Sequence, residues 1–320
     1  MSYVELDRPL PYSGACEILT LDQLGQRFSG AVAAIGNLDG VHLGHKQLVA
    51  QAKQLANSLG APMVVVSFEP HPTRYFNPLA TPFRLSMTEP KAALLSELGV
   101  QALCVVNFDI ETATMNAEDF VERLLVGQGK LKGLVAGPDF RFGQQRKGDL
   151  VLASQLGMIT RTIPGELDAH GEMISSTRVR ERLADGDVPG AQALLGHPHG
   201  IWGQVERGDQ LGRTIGFPTA NLQTWWQMLP QDGIYAAYSH LGDNSRVPTA
   251  LYVGKRPSVD GLDQRFEAHL LDWQGDLYDQ VMSVELVAQT RGDASFDGLD
   301  ALKAQIERDC AAVKAVLGIA

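Results

Sequence analysis

The sequence predicts two folded parts in tandem, an α/β parallel-sheet domain over residues 1–186 and a small antiparallel β-barrel with a C-terminal helix over residues 187–320. Three observations carry this. From Ala31 to Ile163 short apolar runs alternate with helix-spaced segments, the pattern of a parallel sheet with helices on both faces. Beyond Asp185 the periodicity drops to two, in short strands at close spacing. A chain of 320 residues is long enough to give each part its own core.

The first domain is organised around Ala31–His45, AVAAIGNLDGVHLGH. An apolar run breaks at Gly36 and leads through NLDG into His42 and His45. Leu48, Val49, Ala52, Leu55, Ala56 and Leu59 then follow at helical spacing, closed by Gly60. Before this unit, residues 1–30 offer one strand or short helix near Leu19–Phe28. After it come the strand Met63–Phe68, an extended EPHP loop, a helix Glu89–Leu98 stopped by Gly99, and the strand Ala102–Phe108. Asn116 with Asp119 opens a further helix in the manner of a capping box. A short strand Leu134–Ala136 runs into GPDFRFG, and Asp149–Leu156 and Ile159–Ile163 add a helix and a strand. DGDVPGAQALLGHPHG, rich in Gly and Pro around one short amphipathic segment, reads as the linker. The second domain shows strands at Ile234–Tyr238, Thr249–Val253, Arg265–Trp273 and Val281–Val287, then a helix over Leu299–Leu317.

Composition narrows the function. A formal net charge of −10 argues against a general nucleic-acid binder. Cys16, Cys104 and Cys310 are odd in number and far apart, with no C-x-x-C pair, which suits a reducing cytoplasm. Neither a signal peptide nor a membrane span is expected.

The chemistry concentrates in a few loops. A helix N-terminus favours anions, and residues three apart there can face one ligand, so His42 and His45 point to a phosphate site. Gly36, Gly40 and Gly44 allow close approach beside Asn37 and Asp39. Two solvated histidines on a capped helix are the plainer alternative. In ISSTRVR, Ser176 and Thr177 fall where a helix would start, which by itself is ordinary capping. Beside a phosphate site, however, Arg180 gains a second role, because guanidinium clamps phosphate oxygens. In GPDFRFG, Phe140 and Phe142 alternate around Arg141. Such a pair is more often core than ligand platform, but this one lies on a loop at the predicted strand ends, where exposed aromatics would suit a flat heterocycle. The usual P-loop and dinucleotide fingerprints are absent. H-x-G-H at a strand-to-helix turn instead suggests adenylyl transfer, in which an ionised phosphate attacking ATP needs no general base. In the second domain GRTIGFPTAN, from Gly212 through Gly216 to Asn221, offers Thr219 and Asn221 as hard oxygen ligands for Mg²⁺. Glu267, on the strand face opposite Phe266 and Ala268, could take a proton from an alcohol.

GNLDGVHLGH, FEPHP, GPDFRFG, ISSTRVR, LLGHP, GRTIGFPTAN, DGIY and HLLDWQGDLY, in that order, resemble the bacterial bifunctional riboflavin kinase/FMN adenylyltransferases, or prokaryotic FAD synthetases. The resemblance spans about Ala31 to Asp309, and the combination of motifs is highly specific. It implies a Rossmann-like nucleotidyltransferase domain and a riboflavin kinase-type barrel. It also implies a cytoplasmic enzyme that makes FMN from riboflavin with ATP and Mg²⁺, then FAD from FMN and ATP. Its partners would be these small molecules, with neither nucleic acid nor membrane, and with monomer and weak homo-oligomer both open. Carried over by motif, Asn37, His42, His45, Ser176, Thr177 and Arg180 would hold ATP phosphates. Asp139, Phe140 and Phe142 would line the flavin side, and Thr219 and Asn221 would hold Mg²⁺. Glu267 would be the base, and Arg291 with Asp293 would match an Arg-x-Glu flavin pair.

Five positions depart from the family pattern: Leu38 for Phe, Lys255 and Ser258 for Thr, Asp279 for the Gly that follows DLY, and Asp293 for the Glu of the Arg-x-Glu pair. All but Leu38 fall in the kinase half. Two alternatives remain at this stage. One is a coenzyme A or NAD adenylyltransferase with an unrelated barrel, which GRTIGFPTAN and HLLDWQGDLY argue against. The other is a flavin-binding regulator with a weakened kinase half, which would bind flavin without turnover.

Overall fold

The computed structural model describes residues 14–208, 212, 215–258 and 261–320, with 256–258 and 261–263 in backbone only. Two compact units emerge, one within Tyr12–Thr81 and Met87–Ser175, the other within Pro82–Ser86 and Ser176–Ala320.

The first unit runs β1 (Glu17–Leu19), α1 (Leu21–Arg27), β2 (Val32–Ile35), α2 (Leu43–Ser58), β3 (Met63–Glu69), α3 (Pro72–Phe76), α4 (Thr88–Glu97) and β4 (Ala102–Asn107). It continues with α5 (Ile110–Thr114), α6 (Ala117–Asp119) passing into the π-helical Phe120–Gln128, β5 (Gly133–Ala136), α7 (Leu150–Gln155) and β6 (Ile159–Thr162). The six strands lie in the order β1-β4-β3-β2-β5-β6. Every pairing is parallel, as the alternation of strand and helix requires.

Side chains alternate along β2. Val32 and Ala34 join a core with Leu48, Ala52, Leu55 and Leu95 from α2 and α4. Ala33 and Ile35 join another with Leu24, Val121, Leu125 and Ala153 on the opposite face. Both faces are covered, which is why β2 is apolar throughout and β3 is apolar except at Ser67 and Glu69, instead of alternating. β2 is flanked by β3 on one side and β5 on the other, so the topological switch point lies between β2 and β5. The two loops at that point are GNLDGVH, after β2, and GPDFRFG, after β5.

The one strand or short helix expected near Leu19–Phe28 resolves into both. β1 adds an edge strand on β4, and α1 follows with Thr20 and Gln23 in a reciprocal capping box. Asn116 caps α6 through a bond from the Asp119 amide at 2.7 Å, as its spacing predicts.

The second unit opens with α8 (Ser176–Ala184) and α9 (Val188–Leu195). Then come β7 (Gly200–Glu206), β8 (Ala220–Thr224), β9 (Gly233–His240), β10 (Arg246–Ser258), β11 (Gly261–Leu270) and β12 (Val281–Gly292), followed by the C-terminal helix α10 (Leu299–Leu317). The six strands close into an antiparallel barrel in the order β10-β11-β8-β7-β12-β9. Leu251, Val253, Phe266, Ala268, Val284 and Leu286 are buried at alternating positions and fill it. Val313 of α10 packs outside against Ala236 and Leu271.

Two expectations need correction here. The segment read as a linker is largely α9, capped by Asp187 and ended by Gly196 at φ 68°, with Val188, Ala191, Leu194 and Leu195 buried. Its proline and glycine punctuate a helix instead of loosening a loop. β7 and β8 also went unassigned. β8 is short, and Gly200 and Gly203 in β7 and Asn221 in β8 dilute their apolar signal. In addition, Pro82–Ser86 is built into this unit. Arg84 bridges Gln227, and the Met228 amide donates to the Arg84 carbonyl at 2.9 Å.

Candidate active sites

In the parallel-sheet unit a cleft of about 240 Å³ opens at the carboxyl ends of β2, β5 and β6. Gly36, His42 and His45 line it from the first loop, Pro138 and Phe140 from the second, and Ile174 from the start of ISSTRVR. His42 is the N-cap of α2 instead of a residue within its first turn. Its Nδ1 accepts the His45 amide at 3.3 Å, which sets the ring proton on Nε2. The two rings stack with centroids 3.6 Å apart and planes 20° from parallel. Gly44 makes this possible, since a Cβ there would come within 3.2 Å of the His42 ring.

Gly40 turns at φ 80°, and Asp39 beside it is buried at 2% exposure. Asn37 is half-buried, and its carbonyl accepts from Lys91 Nζ and from Ser67 Oγ. Asp139, between Pro138 and Phe140, is exposed and is not among the residues lining the cleft. Phe140 lines the cleft as expected, whereas Phe142 does not. It is buried and stacks on Phe120 at 5.0 Å between centroids, because Gly143 turns the chain back over Ala117. Of the two rings, Phe140 is half-buried at the cleft and Phe142 is core. Tyr75, Phe76 and Phe108, which the sequence analysis does not single out, form an aromatic cluster of their own. Their rings meet edge-to-face at 5.2–5.8 Å beyond the ends of β3 and β4, and Phe76 is 69% exposed. An aromatic pair just before Asn77-Pro78 was the available signal.

Ser176, Thr177 and Arg180 lie on α8 of the barrel unit. Arg180 Nε donates to the Phe83 carbonyl at 2.8 Å, and its guanidinium lies over the Phe83 ring at 5.3 Å.

The barrel carries the second site. A cavity of about 390 Å³ is lined by Thr219, Asn221, Trp273, Asp276 and Tyr278, among others. The Phe217 amide donates to the Gly212 carbonyl at 2.8 Å, and a Cβ on Gly212 would fall 2.3 Å from the Phe217 carbonyl oxygen. Gly216, at φ 91°, completes the turn, while Arg213 and Thr214 of the motif lie outside the described residues. Gly208, which the sequence reading did not single out, lies against the Asn221 amide, where a Cβ would come within 2.4 Å. His269 holds the Pro218 carbonyl at 2.8 Å.

Glu267 on β11 pairs in register with Asn221 on β8 and with Tyr252 on β10, so all three side chains leave the barrel on one face. Burial, then the carboxylates of Asp293, Glu267 and Asp232, push the Tyr252 phenol up, and the phenol hydrogen-bonds Asp293. Arg291 is held by Asp309 through two bonds of 2.8 and 2.7 Å, and this pairing raises its pKa further. Both members of the expected flavin pair thus carry structural bonds. Lys255 lies 3.9 Å from Asp232, and the Ser258 side chain is outside the description.

Two family models match the chain, FAD synthetase over residues 25–178 and riboflavin kinase over residues 195–317. The bifunctional riboflavin kinase/FMN adenylyltransferase of Escherichia coli is 42% identical over 88% of this chain and 90% of its own length. That of Haemophilus influenzae is 38% identical over 89% and 94%, and that of Pseudomonas fluorescens 37% over 92% and 96%. A solved protein from Streptococcus pneumoniae, named as a macrolide-efflux protein, superposes with a TM-score of 0.82 at 29% identity, over 93% of this chain and 98% of its own. Among the described residues no helix is long and apolar enough to cross a membrane.

Proposed function

The chain belongs to the bacterial bifunctional riboflavin kinase/FMN adenylyltransferase family, and from that premise we propose how its parts divide the two reactions. It phosphorylates riboflavin with ATP to FMN, and transfers AMP from ATP to FMN to give FAD and pyrophosphate. The adenylyl transfer is assigned to the parallel-sheet domain, 1–186, and the phosphorylation to the barrel domain, 187–320. The observation that carries the first assignment is the cleft at the β2/β5 switch point, where both glycine-rich loops and the stacked histidines meet.

FMN brings an ionised phosphate as its own nucleophile, so this site has only to align it with the α-phosphorus and stabilise charge as pyrophosphate leaves. The helix terminus at His42 and the ring Nε2–H of that histidine supply positive potential. His45 adds a second ring on the same face, and Gly36, Asn37, Asp39, Gly40 and Gly44 shape the cradle. Ser176, Thr177 and Arg180 are ATP-phosphate ligands on motif grounds alone. Phe140 with the Tyr75–Phe76–Phe108 cluster offers flat apolar surface for an isoalloxazine.

Riboflavin, in contrast, offers a neutral primary alcohol that must lose a proton as it attacks the γ-phosphorus. Glu267 is the base. Thr219 and Asn221 are neutral oxygen donors two residues apart in the barrel cavity and fit Mg²⁺, which keeps water and phosphate oxygens in its shell. When bound, the ion would neutralise charge on the transferring phosphoryl group. Gly212 and Gly216 shape the turn over these donors, and Tyr252, Asp293 and Arg291 form the polar surface beside Glu267 where the flavin would lie. A cytoplasmic setting is in keeping with three widely spaced free cysteines and the need for ATP.

Purified protein given riboflavin, ATP and Mg²⁺, with products resolved over time, should form FMN first and FAD after it. FMN without FAD, or neither, would refute the scheme.

A further inference from the structure

The loop Gly36–Val41 is bent harder than its glycines explain. Leu38 and Val41 both sit in the left-handed region, at φ 45° and 42°, and both are fully buried. A β-branched residue there is a true outlier, and such positions persist only where the surroundings over-determine them. Within the loop, the Val41 amide donates to the Leu38 carbonyl at 3.2 Å.

A second restraint comes from beneath. Lys91, on α4, is only 2% exposed, and lysine is almost never buried for packing alone. Its Nζ donates to the Asn37 carbonyl at 2.7 Å and to Ser67 Oγ at 3.2 Å. Ser67, at the end of β3, donates in turn to the same carbonyl at 3.1 Å. Two donors thus converge on the two lone pairs of one carbonyl oxygen. Because the peptide is planar and trans, fixing that oxygen toward Lys91 turns the Leu38 N–H the opposite way.

We propose that Lys91, with Ser67, is a positioning residue of the adenylyltransferase site. Its buried Nζ clamps the Asn37 carbonyl and holds the strained loop in its phosphate-binding form. This rests on the adenylyl-transfer reading of the cleft. Lys91 and Ser67 act through the loop and need not touch substrate.

The test compares wild type, Lys91→Met and Ser67→Ala with supplied FMN, reading kcat and KM for ATP, riboflavin phosphorylation by the same chain, and thermal unfolding. Lys91→Met should lose roughly 10²-fold in kcat/KM for adenylylation, with KM for ATP raised, while phosphorylating riboflavin at the wild-type rate. Ser67→Ala should move the same way by about 3- to 10-fold. A folded Lys91→Met variant with KM for ATP unchanged, its activity following only the folded fraction, would overturn the proposal. Should Lys91→Met not fold, an unchanged KM for ATP in Ser67→Ala would overturn it equally. A wild-type protein that makes no FAD from FMN would sink the underlying reading instead, and the control separates the two failures.

Discussion

Glu267 stands directly opposite Asn221 in the antiparallel pairing of β8 with β11, so the proposed base and one proposed Mg²⁺ ligand project from the same face of the barrel. Such an arrangement puts a proton acceptor next to the phosphoryl group that the ion would hold. Glu267→Gln keeps the shape but cannot accept a proton. Kinase kcat should fall roughly 10²–10⁴-fold, with riboflavin affinity little changed and adenylylation of supplied FMN intact. Phosphorylation within a few-fold of wild type would remove Glu267 from the mechanism and turn attention to Asp276.

His45→Ala removes one ring of the stacked pair and should stop FAD formation while FMN accumulates. By analogy with deleting an oxyanion donor, the loss is about 2.7–4 kcal/mol of transition-state stabilisation. Chromatography of the flavins after a riboflavin chase reads this directly. FAD formed at an undiminished rate would exclude a phosphate role for His45.

Asp279 occupies a left-handed position, at φ 63°, where the family pattern has glycine. Asp279→Gly relieves that conformation and should raise the stability of the barrel by up to about 1 kcal/mol. The midpoint of urea unfolding measures it, and a lower midpoint would mean that the carboxylate contributes more than the backbone costs.

Asp309 is nearly buried and accepts two bonds from Arg291 and one from Gln305. Asp309→Ala leaves a partly covered guanidinium without its carboxylate. The barrel should lose about 2–3 kcal/mol, somewhat less than for a fully buried pair because Arg291 reaches solvent. Asp309→Asn, which keeps one acceptor, should lose less.

Burial pushes the Cys16 and Cys104 thiols up to about 12. Unfolded thiols lose their protons near pH 8.5, so the folded protein binds more protons above that pH. Their contribution to stability is therefore complete below about pH 8 and is lost as pH rises from about 9 toward 12. Urea midpoints at pH 8 and pH 10.5 should show the decline. Cys310 is half-buried and its thiol is also pushed up by burial, so at pH 8 iodoacetamide should modify it slowly in the native protein, Cys16 and Cys104 more slowly still, and all three readily after denaturation.

Strands β2, β3 and β4 were readable because residues buried on two faces form apolar runs of four or more residues. The same logic fails for β7, where Gly200 and Gly203 interrupt the alternation, and for α9, whose Pro189 and Gly196 look like loop residues until their places at the two helix ends are seen. His42, His45, Thr219 and Asn221 could be singled out because each sits at a fixed offset from a turn. Phe142 misled, since composition cannot tell which ring of an alternating pair folds inward. Lys91 and Ser67 gave no signal at all. Their roles depend on β3 and α4 both reaching the end of β2, which only the assembled sheet reveals.

The inclusion of Pro82–Ser86 in the barrel unit has a consequence for synthesis on the ribosome. That segment emerges long before Gln227 and Met228, the residues its backbone bonds and bridges. At about 5–20 residues per second the wait is on the order of ten seconds. The sheet unit, complete once Ser175 has emerged, can gather its core in that time, with the loop between Thr81 and Met87 held ready for a partner not yet made. The barrel unit cannot be finished in one continuous run of chain. Its last pieces join a segment the nascent protein has carried since early in translation.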